Sequence, residues 1–130
     1  VEGYLISSSL LAIQAQRLVR RVCTDCASTG PISADELAVL QITREECPEI
    51  NRGHGCESCG HTGYRGRVGL YELLLMSDAI RHHVASGADA NVICNEATSA
   101  GMRTLREDAL DKLKVGLTTP EEVVRVTRAL

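Results

Sequence analysis

Near the start of the chain, apolar residues recur at Leu11, Ala15, Leu18 and Val22, spacings of four, three and four that share one helical face. Gln14, Arg17, Arg20 and Arg21 fill the intervening positions, and Ser7-Ser8-Ser9 offers N-cap hydroxyls just ahead. The pattern predicts a helix over 9–22, with Arg20 and Arg21 in a last turn where cations suit the helix dipole. Ser33-Ala34-Asp35-Glu36 reads as a capping box opening a short helix through Leu40, and Thr43-Arg44-Glu45-Glu46 repeats the cap pattern. The apolar run over 67–76 suits either a strand or the first turns of a buried helix, and we expect a short strand that turns helical near Tyr71.

Ser77-Asp78 starts a helix that Gly87 stops, and Asp89 opens another through about Ala97. Leu105, Ala109, Leu110 and Leu113 form the apolar face of a helix closing at Gly116. Thr119 as N-cap, Pro120 at the first helical position and Glu122 at the third start a last helix carrying Val123, Val124 and Val126. The expected fold is mainly α, a helical chain with short strand content and a small lobe around its cysteines.

That lobe is where the candidate chemistry lies. Cys23 to Cys26 and Cys56 to Cys59 are two Cys-x-x-Cys pairs, and two residues between thiols lets one tight turn present both sulfurs to one ion. Four thiolates would complete the tetrahedral shell of a structural Zn²⁺, so Cys23, Cys26, Cys56 and Cys59 are the expected metal ligands. The 29 residues between Cys26 and Cys56 exceed the compact zinc-ribbon spacing, so the insert should carry structure of its own. Gly60 directly follows the last thiol, where a positive φ turns backbone N–H groups toward sulfur, and Gly63 and Gly66 should loosen the exit.

A tetrathiolate site carries a formal charge of about −2, which Arg20, Arg21, Arg52, Arg65 and Arg67 could partly neutralise. Cys47, His54 and His61 stand close enough in sequence to replace a ligand, but two complete pairs saturate zinc, and Cys47 reads more simply as a small buried hydrophobe. Cys94 is expected to be a core thiol. His82 and His83 are adjacent on one helix, about a hundred degrees apart, and read as surface residues. The rival reading of the pairs as redox disulfides lacks the βαβ context such sites have.

Composition trims the alternatives. A net charge of −3 argues against a polyanion binder, and three Tyr with no Phe or Trp leave no stacking platform for single-stranded nucleic acid. Six Cys without a signal peptide suit a reducing cytoplasm, and no run of about twenty apolar residues offers direct membrane insertion. Val1 in place of Met and an abrupt apolar opening suggest a piece of a longer protein.

The order of motifs points further. Leu5-Ile6-Ser7-Ser8-Ser9-Leu10, Ala15-Gln16-Arg17-Leu18-Val19-Arg20, the cysteine pairs, the segment from Gly63 to Leu74 and Gly101-Met102-Arg103-Thr104-Leu105-Arg106-Glu107-Asp108 resemble the C-terminal part of the type II secretion traffic ATPases, the GspE family. The resemblance spans nearly the whole chain. Type IV pilus assembly ATPases look similar and carry the same tetracysteine lobe, while the Thr-Thr-x-Glu-Glu-Val ending and the long insert lean toward secretion. Gly3-Tyr4 stands where relatives tend to have Pro-Phe, and Cys47 and Cys94 are additional thiols.

The resemblance implies a parent with a RecA-like α/β domain that binds ATP and Mg²⁺. Such parents work as homo-hexamers, peripheral at the cytoplasmic face of the bacterial inner membrane, and drive pseudopilus assembly with inner-membrane platform proteins. It divides the chain into the end of the ATPase domain (1–22), a zinc lobe (23–66) and a C-terminal helical subdomain (67–130). Gly-x-x-x-x-Gly-Lys-Ser/Thr does not occur in these 130 residues, so the expectation for this piece is a structural, partner-binding role without catalysis. Two other readings are an Hsp40-type chaperone module, which Cys56-x-x-Cys59-x-x-x-Gly63 approaches, and a nucleic-acid-binding zinc module, which charge and aromatic content disfavour.

Overall fold

The structure is a computed structural model and describes residues 1–128. Its elements are helix α1 (Gly3–Ser9), strands β1 (Ala12–Val22) and β2 (Ala27–Pro31), helix α2 (Ala34–Leu40) and strand β3 (Glu49–Gly53). A 3₁₀ turn (Glu57–Cys59) leads to strand β4 (Tyr64–Leu75) and helices α3 (Asp78–Ala85), α4 (Ala90–Ser99), α5 (Leu105–Lys114) and α6 (Pro120–Thr127). β1 pairs with β4, and β2 pairs antiparallel with β3, Ala27 opposite Gly53 and Pro31 opposite Glu49. Two compact units emerge, Val1–Gln16 with Tyr71–Thr104, and Arg17–Leu70 with 105–128.

The segment expected to be a helix over 9–22 is instead α1 followed by strand β1. Val19 and Val22, its buried residues, lie three apart, a spacing that a helical face also accepts. The β-branched side chains and the hydrogen-bonding edge of β4 override that reading, because long-range pairing outweighs local propensity. The serines do not cap a following helix. They close α1, with Ser7 Oγ donating to the Tyr4 carbonyl at 3.2 Å and Ser9 Oγ to that of Leu5 at 2.6 Å. β4 likewise stays extended through Leu75 with no helical turn at Tyr71, so the strand content exceeds expectation.

The first unit is thinly packed. α1 lies against α3 so closely that a Cβ on Gly3 would come within 2.8 Å of the Val84 carbonyl oxygen. Ser77 and Asp89 cap α3 and α4 as expected, their side chains accepting from Ile80 N at 3.2 Å and Asn91 N at 2.9 Å. Ile80 and Ala97 are its buried apolar side chains, while Cys94 is exposed rather than in a core. α4 turns Ala97 inward, with Ile93 one turn before it half-buried, and Cys94, the neighbour of Ile93, stands on the exposed side of that stripe.

The second unit has a dense aliphatic interior. Val19 and Val22 of β1, Leu70 of β4, the expected face of α5 (Leu105, Ala109, Leu110, Leu113) and Val123 and Val126 of α6 are all buried. Ile32, Leu40, Cys47 and Ile50 form the inside of the β2–α2–β3 excursion. The capping box of α2 is complete, Glu36 N donating to Ser33 Oγ at 3.2 Å and Ser33 N to Glu36 Oε1 at 3.1 Å. Thr43 and Glu46 make the same reciprocal bonds, at 2.8 and 3.3 Å, on a turn that goes no further.

Candidate metal centre

Four loop ends of the second unit meet at one point. Cys23 follows the last residue of β1, Cys26 precedes β2, Cys56 stands before the 3₁₀ turn and Cys59 closes it. All four sulfurs lie within 4.8 Å of one another. Cys23 to Cys56 is 3.8 Å, Cys26 to Cys59 is 3.9 Å and Cys56 to Cys59 is 3.7 Å. Sulfurs about 2.3 Å from a common centre form a tetrahedron with edges of about 3.8 Å, so the grouping has the size a metal ion would require. A disulfide needs sulfurs about 2.05 Å apart, and all six cysteines are free.

Backbone donors converge on the sulfurs. Gly55 N donates to Cys26 Sγ at 3.3 Å, while Cys56 N and Gly63 N both donate to Cys59 Sγ at 3.2 Å. Gly60 has the expected positive φ of 63°, but its own N–H turns to the Glu57 carbonyl. Gly63 is the tighter constraint. Its φ is +82°, its carbonyl accepts from Cys23 N at 2.9 Å, and a Cβ there would come within 2.5 Å of Gly53 O. Gly63 therefore fastens the two pairs together rather than loosening the exit.

The protons are unevenly held. Burial works to raise the pKa of Cys59, but N–H groups of Cys56 and Gly63 and hydrogen bonds from the Cys56 and Cys26 thiols bring it down to about 6. Burial pushes Cys26 up to about 11, against the Gly55 N–H and with hydrogen bonds that its own S–H donates to Cys23, Cys56 and Cys59 adding to the rise. A cation placed among the four sulfurs would relieve the cost of ionising them.

The other nearby candidates go elsewhere. Cys47 is buried with its Sγ 3.5 Å from the Glu49 carbonyl, and burial pushes its thiol up, against a small pull from Lys114. It packs as the small hydrophobe expected. His54 Nε2 meets Ser28 Oγ, and neither His54 nor His61 belongs to the sulfur group. Three of the five arginines face carboxylates instead of sulfur. Arg65 is 3.6 Å from Asp25, and Arg52 Nη2 donates to Glu36 and, at 2.7 Å, to Glu121.

Arg20 holds Glu122. The glutamate side chain is 1% exposed and accepts from Arg20 N at 2.7 Å, Arg20 Nη2 at 3.0 Å and Arg125 Nη2 at 2.8 Å. Burial works against its charge, but the guanidinium of Arg125 and the N–H and guanidinium of Arg20 hold the carboxyl down at about 2. Arg20 also stacks 4.0 Å over the Tyr64 ring, whose hydroxyl hydrogen-bonds Thr119 Oγ1 at 2.8 Å. Val22 N donates to the Leu117 carbonyl at 2.9 Å. The end of β1, immediately before Cys23, is thus tied to the start of α6. Local reading missed this because Glu122 at the third position of a helix already had a capping explanation.

Among the described residues no helix is long and apolar enough to cross a membrane. Residues 1–125 match the family model described as Type II/IV secretion system protein. The chain is 41% identical over 128 residues to the Type II secretion system protein E of Aeromonas hydrophila, and 40% over 128 residues to the Type II secretion system ATPase E of Vibrio cholerae. It is 43% identical over 129 residues to the Type IV pilus assembly ATPase PilB of Thermus thermophilus. Each match covers 98% of this chain, but only 25% of the length of the first two relatives and 14% of the third. With its tetracysteine group and a match along almost its full length, the chain belongs to the type II/IV secretion system protein family.

Proposed function

We propose that this chain is the zinc-clamped coupling module of a type II secretion ATPase. In this reading Cys23, Cys26, Cys56 and Cys59 hold one structural Zn²⁺, and no coordination position is left for water or substrate. The single observation that supports it is the four-sulfur group at tetrahedral spacing, at the junction of β1 with the β2–α2–β3 excursion. The ion joins two parts of the protein, and its chemistry is mechanical. ATP and Mg²⁺ act in a RecA-like part of the parent, of which 1–22 form the end, while the lobe over 23–66 and the helical region over 67–130 pass motion on. The parent works as a homo-hexamer at the cytoplasmic face of the inner membrane, where this module binds platform proteins and pseudopilus assembly drives export.

The joint carries force because its two sides are also fastened by hydrogen bonds beside the ion. Gly63 bonds both Cys59 and Cys23, and the Glu122 network anchors the last residues of β1 to α6. A displacement of β1 is therefore delivered to the lobe rather than absorbed by a loose loop.

A double substitution, Cys56→Ser with Cys59→Ser, tests this in the full-length parent. We expect loss of one bound zinc by elemental analysis, loss of dispersed amide signals from 23–66, retained ATP binding, and loss of binding to platform proteins. A zinc-free lobe that keeps its fold and its partner would overturn the reading. The 43% identity to a pilus assembly ATPase favours one alternative, the same module serving a type IV pilus motor. Complementation of secretion-defective and pilus-defective hosts separates the two.

A further inference from the structure

α2 and α6 enclose a groove of about 350 Å³ lined by Asp35, Glu36, Val39, Leu40, Pro120, Glu121 and Val124. We propose that this groove docks a basic, amphipathic helical segment of a partner protein, an inference that rests on the coupling-module reading and names the surface such a module would use.

The lining follows helix periodicity. Asp35 and Val39, Glu36 and Leu40, and Pro120 and Val124 are each four residues apart, so each helix offers an apolar step beyond its first turn. Leu40 and Pro120 are buried as the floor, and Val39 stands 63% exposed. Asp35, Glu36 and Glu121 belong to the first turns of the two helices, which makes one end of the groove acidic. Arg52 bridges Glu36 and Glu121 across that end and fixes the separation of the walls before anything binds. At that end three carboxylates against the Arg52 guanidinium leave a net negative charge, while Arg106 donates to the Leu40 carbonyl at the other end of α2.

That combination selects its occupant by charge. Anionic lipid and acidic peptides are repelled, whereas a helix with two aliphatic anchors one turn apart and a flanking Lys or Arg satisfies both floor and rim. Cytoplasmic segments flanking the spans of inner-membrane proteins carry an excess of Lys and Arg, which makes them the chemical class that fits.

The test uses the zinc-loaded, isotope-labelled chain and two synthetic peptides of about eighteen residues, one of leucine and lysine in amphipathic register, the other of leucine and glutamate. The leucine–lysine peptide should shift amides of α2 and α6, and the leucine–glutamate peptide should not. Val39→Asp should weaken the first peptide about tenfold although it adds negative charge, since the anchor site is lost. Asp35→Lys should weaken it as well and begin to admit the second peptide. Equal or tighter binding to the Val39→Asp protein would show charge attraction alone and overturn the proposal, as would shifts mapping outside α2 and α6. Self-association through α2 and α6 on concentration would overturn it too, assigning the groove to a second copy. If Val39→Asp in the full-length parent keeps zinc, fold and partner binding, the groove proposal falls while the coupling reading stands; that reading falls only with the cysteine double variant.

Discussion

The two units of this chain are stabilised by different means. In the first, helices α3 and α4 are well capped, but Ile80 and Ala97 are its buried apolar residues, and Leu5, Leu11, Ile13, Leu73, Leu75 and Val92 stand exposed. The second combines a continuous aliphatic core, a group of four thiols and a buried carboxylate held by two arginines. Good local signals at helix ends can therefore form elements without an interior. Deep burial comes where β1, β4, α5 and α6 bring distant residues together.

Metal removal should break the contrast most. With the zinc of the proposed clamp bound, a strong chelator should abolish hydrogen-exchange protection in β2, α2 and β3, because the binding energy of such an ion, on the order of 10 kcal/mol, would be folding energy for the lobe. Amides of α3 and α4 should keep whatever protection they had. Uniform loss in both units would mean the two fold as one.

Next in size is Leu113→Ala, which removes a fully buried side chain of α5 and should cost about 2–5 kcal/mol in denaturant melts. Leu73→Ala in the first unit, half-exposed, should cost well under about 1 kcal/mol. Similar costs would remove the distinction.

Glu122→Gln should cost up to about 3 kcal/mol near neutral pH, the equivalent of a carboxyl held at about 2 instead of its ordinary 4.5. The folded value lies below the unfolded one, so the contribution is fully present above pH 4.5 and is lost as pH falls through 4.5 toward 2. The gap between wild type and variant, followed by urea titration across that window, should close on the acid side. A gap independent of pH would assign Glu122 a packing role. Smallest of all, Ser77→Ala should cost about 1 kcal/mol through its lost cap on α3, visible as faster exchange of the first α3 amides.

These expectations also show what could be read from residues alone. The caps at Ser33, Ser77, Asp89 and Thr119 lie where local chemistry places them, because an N-cap is an interaction within three residues. The buried face of α5 and the gathering of Cys23, Cys26, Cys56 and Cys59 were legible for similar reasons, one as a helical period and the other as a ligand spacing. β1 was not, since Leu11, Ala15, Leu18 and Val22 fit a helix equally well and the strand exists only through β4. α1 is hidden for the same reason, and Cys94, expected in a core, stands exposed on its helix. Arg20 and Glu122 lie 102 positions apart, and no short-range rule predicts that a capping glutamate would leave its cap.

Gly53 and Gly63 meet backbone to backbone, and a Cβ on Gly53 would fall 2.1 Å from Gly63 O. This seam has no side chains, so no compensating change in a neighbouring residue can relieve a substitution there. Variation is channelled accordingly: the α2 turn and the stretch after it can change in length and chemistry without touching the closure, whereas positions 53 and 63 leave room for glycine alone. Two residues outside the four-sulfur group, packed backbone to backbone, thus set the narrowest limit on how this lobe can diverge.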